Sequence, residues 1–164
     1  MFWKIIAYIC SRPIVAEWLI TRSQRTPYTH ITSADGNDIY MGRWWLFNPY
    51  PTGSSGDRPK WQFPISIRIH HIMRPDHDRD LHDHPWNART IIIRGYYDEQ
   101  RLNGCFLRKP GDTARLSFGE YHRIFAVSPG GVWTIFITGK YRGTWGFLVD
   151  GVKVKWRTYL GLDK

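Results

Sequence analysis

From residue 29 onward, almost every apolar run is short, rich in β-branched or aromatic residues, and closed by a turn signal. The clearest is ISIRIHHIM, residues 65–73, where Ile65, Ile67 and Ile69 alternate with Ser66, Arg68 and His70. A period of two marks a strand whose two faces meet different surroundings. Similar runs follow at RTIIIRGYYDE, GCFLRK, TARLSF, HRIFAV, VWTIFITG, WGFLVDG and VKVKWRTYL. Upstream, THIT and IYMGRWWLF flank an Asp-Gly pair and read as a hairpin. Many short strands with frequent turns point to a mainly β, antiparallel sandwich or barrel. The Pro/Gly/Ser-rich stretch 48–64 reads as a long loop, mobile or functional.

The first residues differ. MFWKIIAYICSRPIVAEWLI reads as helix, so residues 1–26 form a helical segment ahead of a β domain over 27–164, one domain overall. Ser11 is the expected N-cap, with Pro13 in the first turn. Ile14, Val15, Trp18 and Leu19 fall at helical spacing and should pack on the outside of the β domain. Lys4, Arg12, Pro13 and Glu17 interrupt the run well short of the ~20 apolar residues of a membrane span. No basic region precedes the apolar run and no small-residue cleavage site follows it. An interfacial membrane helix is the competing reading.

Composition narrows the partners. The net charge of +9 comes largely from 16 Arg, which suit bidentate contact with carboxylate or phosphate. The charge is divided among all thirds of the chain, whereas a nucleic-acid face usually shows a clustered stripe. Small anions are therefore expected rather than specific DNA or RNA. The 9 Trp ask for an aromatic interior or a ring-lined pocket. Cys10 and Cys105 make no framework, which points to a reducing compartment, the cytoplasm.

Histidines carry the chemistry. His30 reads as a satisfied structural residue, and the adjacent His70 and His71 point to opposite faces. His82 and His84, at i and i+2 in LHDHPW, share a face if the segment is extended, so both imidazoles can meet one ion. Asp83 then points away, which disfavours a His-x-Asp oxygenase arrangement. Farther on, GDTARLSFGEYHRIFA holds Gly111, Gly119 and, three residues later, His122.

These intervals resemble the cupin superfamily, small jelly-roll barrels with two motifs, G-x5-H-x-H-x3,4-E-x6-G and G-x5-P-x-G-x2-H-x3-N. Asp76, His82, His84, Ala88 and Gly95 fall on the first motif. Gly111, Ser117, Gly119, His122 and Ala126 fall on the second, with 15 residues between the motifs. The resemblance covers about residues 65–140. It implies a cupin-type barrel with the helix outside, and one divalent transition metal held by His82, His84 and His122. Iron leads, with nickel, zinc or manganese as alternatives. Ala88 stands where the family has its carboxylate ligand, leaving a three-histidine, open-faced site. The LHDHPW, IIIRGYY and WGFLVDG runs also resemble small bacteriophage proteins without established activity, for which the compartment is the host cytoplasm.

If residues 82 and 84 point inward, Trp86 and Ala88 tend to follow. On residues 65–73 the isoleucines are the natural core, which places Arg68 and His70 outside. A polar pocket would invert the strand and make Arg68 an anion clamp. Arg94 and Tyr121 are further candidates to touch a ligand. Three functions remain open on these residues: an iron-dependent oxygenase acting on a small anion, a non-catalytic binder or sequestering protein, and a phage structural protein. A homo-oligomer is compatible with each.

Overall fold

The computed structural model describes residues 1–32, 38–49 and 63–163. Two helices come first, α1 (Phe2–Cys10) and α2 (Pro13–Ser23). The described strands follow as β1 (Ile31–Thr32), β2 (Ile39–Phe47), β3 (Ser66–Ile72), β4 (Leu81–His82), β5 (Trp86–Arg94) and β6 (Tyr97–Arg101). They continue as β7 (Gly104–Arg108), β8 (Thr113–Leu116), β9 (His122–Val127), β10 (Val132–Tyr141), β11 (Gly146–Val149) and β12 (Val152–Lys155), before a short α3 (Trp156–Tyr159). Two antiparallel sheets result, ordered β1-β2-β3-β10-β5-β8 and β12-β11-β4-β9-β6-β7. They face each other as a jelly-roll barrel with the helices outside. The Asp-Gly turn of the first hairpin and most of the 48–64 loop lie outside the described residues.

Three layers, not two, explain the alternation. Ile69 of β3, Ile91 and Ile93 of β5 and Ile135 of β10 pack outward against Ala7, Ala16, Leu19 and Ile20 of the helices. Between the sheets, Ile72, Ile92, Tyr97, Ile124 and Val132 form one cluster, and Ala88, Leu116 and Phe136 another. The first sheet is thus buried on both faces. This corrects the expectation for residues 65–73: the isoleucines are core, but the core beneath the helices. Arg68 and His70 face into the barrel, only 2% and 7% exposed. His71 faces the other way, stacked on Trp133 at 4.1 Å.

The helical segment needs two corrections. It breaks at Ser11–Arg12, and Arg12, not Ser11, holds the N-cap position of α2. The cause is Pro13, which disfavours helical geometry in the residue before it and leaves Arg12 extended at φ −64°, ψ 135°. The Ser11 hydroxyl instead donates to the Tyr8 carbonyl, closing α1. Of the four residues expected on the domain body, Val15 and Leu19 pack there. Ile14 and Trp18 do not.

One glycine ties the barrel to the histidines. The Gly146 amide donates to Asp83 Oδ1 at 2.7 Å, and the Asp83 amide donates back to the Gly146 carbonyl at 3.0 Å. A Cβ on Gly146 would lie 2.1 Å from the Val154 carbonyl oxygen. Backbone cannot yield as a side-chain tip does, so Gly146→Ala should cost about 1–3 kcal/mol by overpacking. Thermal denaturation checks this; an unchanged Tm would show that β11 and β12 separate freely.

Candidate metal centre

His82 closes β4 and stands directly opposite His122, the first residue of β9. His84 lies two residues further, past the end of β4, and keeps the same side. Asp83 between them is fully buried on the other side, bonded to Gly146 and to the Lys153 ammonium. The three rings form a nearly equilateral triangle, with centroids 5.3, 4.9 and 5.1 Å apart. His84 Nε2 and His122 Nε2 are 2.9 Å apart. Two ligands at ~2.0–2.1 Å from one ion sit at about this separation. One nitrogen from each histidine lies within 4.8 Å of the others.

Protonation favours the same use. Burial, reinforced by His122, pulls the His82 imidazolium down to about 4. Burial holds His84 well below the ordinary histidine value, with His122 and His82 adding to the effect. Both rings are therefore neutral at neutral pH, the form that ligates.

The residue that organises the third histidine was missed by the sequence reading. Glu99 of β6 is fully buried, and its Oε1 lies 2.9 Å from His122 Nδ1. Arg101 donates to the same carboxylate at 2.9 Å and Arg108 at 2.8 Å. Burial alone would raise this acid, but His122 and Arg101 outweigh it and bring Glu99 down to about 2. A carboxylate on Nδ1 keeps that nitrogen protonated and frees the Nε2 lone pair for an ion. Strand parity offered a signal: Tyr97, Glu99 and Arg101 share one face of YDEQR. Asp76 plays a weaker part toward His82, at 3.9 Å from Nδ1, while bonded to the Tyr40 hydroxyl and the Ile124 amide.

Two imidazoles held neutral by burial and a third oriented by a buried carboxylate fit a divalent transition ion. Among the described residues the cluster consists of these three histidines. Ala88 adds no ligand; it packs on Leu116 and Phe136.

The histidines line a cavity of about 560 Å³ between the sheets. Its wall is largely apolar, with Ile72, Leu116, Phe136 and Phe147, and Arg43, Arg68, His70 and Trp86 supply polar groups. The Arg68 guanidinium lies over the rings of Trp45 and Trp86, 4.8 and 5.0 Å from their centroids, and Nη2 donates to Thr138 at 3.4 Å. Burial, helped by the Arg68 charge, lowers Arg43 to about 10. His70 Nε2 and Trp86 Nε1 are buried and make no hydrogen bond among the described residues.

Two expected ligand contacts are elsewhere. Arg94 sits beyond a register shift between Trp133 and Thr134, which turns it to the helices, where it meets Glu17 at 2.6 Å. Tyr121 precedes the inward-facing His122, so it points away and is not in the cavity wall. His30 is structural: its Nδ1 accepts from the Arg43 amide.

No protein-family model and no curated protein matches the chain. Solved structures do. A cupin-2 domain protein from Rhodospirillum rubrum superposes with a TM-score of 0.55 at 13% identity, covering 74% of each chain. A cupin 2 conserved barrel domain protein from Rhodopseudomonas palustris gives 0.53 at 15% identity, over 76% of this chain and 77% of that one. The polyketide cyclase RemF from Streptomyces resistomycificus gives 0.52 at 13%, over 74% and 79%. At such identities the likeness concerns the fold. With two six-stranded antiparallel sheets closed around a histidine-lined cavity, the chain has the cupin-type jelly-roll fold.

Proposed function

We propose that the chain binds one divalent transition metal, iron foremost, at His82, His84 and His122, and holds a small anionic molecule beside it. The observation that carries the anion is the pair of guanidiniums, Arg68 and Arg43, set in an otherwise largely apolar cavity wall. Hydrogen bonds from such charged donors to an anion are roughly twice as strong as neutral ones. When bound, the metal supplies a Lewis acid with coordination positions left open. The protein's part is orientation and dryness: Glu99 aims His122, while Phe136, Phe147 and Trp145 flank the imidazoles and keep water away.

The class of reaction in this proposal is an iron-dependent oxygenation of the held anion. Ligand sequestration without turnover is the second reading, favoured by the lack of a carboxylate among the cluster's residues. The sequence runs that resemble bacteriophage proteins extend the proposal to a role in the host cytoplasm.

The test uses tag-free protein. About one metal ion per chain is expected by elemental analysis, and His84→Ala should remove it. Metal-free wild type that takes up no divalent ion overturns the proposal. A panel of carboxylates and phosphates, beside a DNA duplex, should then give small-ligand binding that survives physiological salt, because a pocket anion is poorly screened. Duplex binding should collapse as salt displaces it. Arg68→Met should lose the ligand and keep the metal. Oxygen consumption with an altered ligand identifies an enzyme; the ligand recovered intact identifies a binder.

A further inference from the structure

The helical layer buries apolar residues on one side and exposes large apolar residues among charged ones on the other. α1 packs Trp3, Ile6, Ala7 and Cys10 toward the barrel, yet its outward residues are Phe2, Ile5, Tyr8 and Ile9, each at least half exposed. α2 repeats the pattern: Ala16, Leu19 and Ile20 are buried, while Ile14 and Trp18, one helical turn apart, are 86% and 63% exposed. A surface helix ordinarily turns a polar face to water, and one that is apolar all round is covered. An aromatic side chain buries about 150–250 Å² when enclosed. Phe2, Tyr8 and Trp18 therefore show roughly 300–400 Å² between them, already the size of the largest apolar patch on an ordinary monomer. The isoleucines add to it.

Charge selects what covers this face. Lys4, Arg12, Arg22 and Arg25 are all exposed on the same two helices and the turn after them. Glu17 is the sole acid in residues 1–32, and Arg94 already occupies its carboxylate at 2.6 Å. A second copy docked by two-fold symmetry would set this cationic face against an identical cationic face. A surface with fixed negative charge and an apolar interior matches both features.

We propose that α1 and α2 form a docking face for an anionic lipid bilayer, lying in the headgroup layer with Ile5, Ile9, Ile14 and Trp18 dipping inward. The Arg12 guanidinium sits 4.2 Å over the Tyr8 ring, a cation at the rim of an aromatic body, as an interface between headgroups and acyl chains requires. Contact is interfacial: α1 has nine residues, about 14 Å, and no described helix is long and apolar enough to cross a membrane. The cavity lies on the other side of the first sheet, so lipid binding and metal binding are separate readouts.

The experiment is flotation of the full chain with vesicles of phosphatidylcholine alone and of an equimolar mixture with phosphatidylglycerol. Binding to the mixed vesicles should be about tenfold or more above binding to the neutral ones, and should weaken severalfold at high salt. Ile14→Glu with Trp18→Glu should lower it about tenfold or more, with Tm and metal content unchanged since both positions face solvent. Absence of a preference for anionic vesicles overturns the proposal. So does a wild-type dimer, measured by sedimentation, that the double variant turns into a monomer, because the face then binds a second copy.

Discussion

Glu99→Gln should weaken the affinity for a divalent transition metal about ten- to hundredfold with all three histidines in place. The carboxylate is fully buried and bonded by His122, Arg101 and Arg108. It sets the His122 tautomer that leaves Nε2 free for an ion. Glutamine keeps the shape but removes the charge, and its amide has only one acceptor oxygen to divide among three donors. Two guanidiniums are then left near an uncharged group in a buried site. Breaking such a pair costs about 3–5 kcal/mol, so Tm should fall as well. Chelator-competition titration separates the effects, since it reads affinity in the folded fraction. Full affinity in a destabilised variant would show that Glu99 serves the barrel alone and does not orient the ligand.

The metal-free protein should lose stability steeply as pH falls below about 6.5, and regain much of it when a divalent ion is added. His82 is depressed to about 4 by burial and by His122, against an ordinary value of 6.5. The unfolded chain therefore takes up its proton first, and folding weakens as pH falls from 6.5 toward 4. Linkage makes this roughly 3 kcal/mol for His82 alone. His84 and His70 are held well below their ordinary value chiefly by burial and add in the same direction. Glu99, brought to about 2, extends the loss below pH 4.5. Above pH 7 the curve should be flat with respect to these groups. Urea denaturation at a series of pH values checks the window, and a midpoint constant from pH 7 to 5 would contradict the burial of neutral imidazoles. A ligating ion binds the folded neutral site, so it should raise the midpoint by mass action.

The sequence reading and the structure part at identifiable places. His122, farther along the chain, entered only through the resemblance to the cupin motifs, whereas HxH was legible because strand parity is strict: two residues apart means one side. The strand set was legible for the same reason. Parity says which residues travel together, and it is silent on which set faces the cavity. Arg68 and His70 were placed outside because isoleucines were expected to seek the only core, whereas docking of α1 and α2 built a second one and buried both faces of β3. Arg94 meets Glu17 and not the cavity because a register shift turns it, and no residue in the sequence announces such a shift.

What the sequence alone determined, then, is the β periodicity and the placing of His82 and His84 on one side, since each follows from the chemistry and spacing of neighbouring residues. The tertiary structure decided that Glu99 meets His122 across strands, that Arg68 enters the cavity, and that large apolar residues on the outer side of the helices stay uncovered. These depend on contacts between residues far apart in the chain, and a burial pattern with two equivalent faces acquires its direction only when the layers pack.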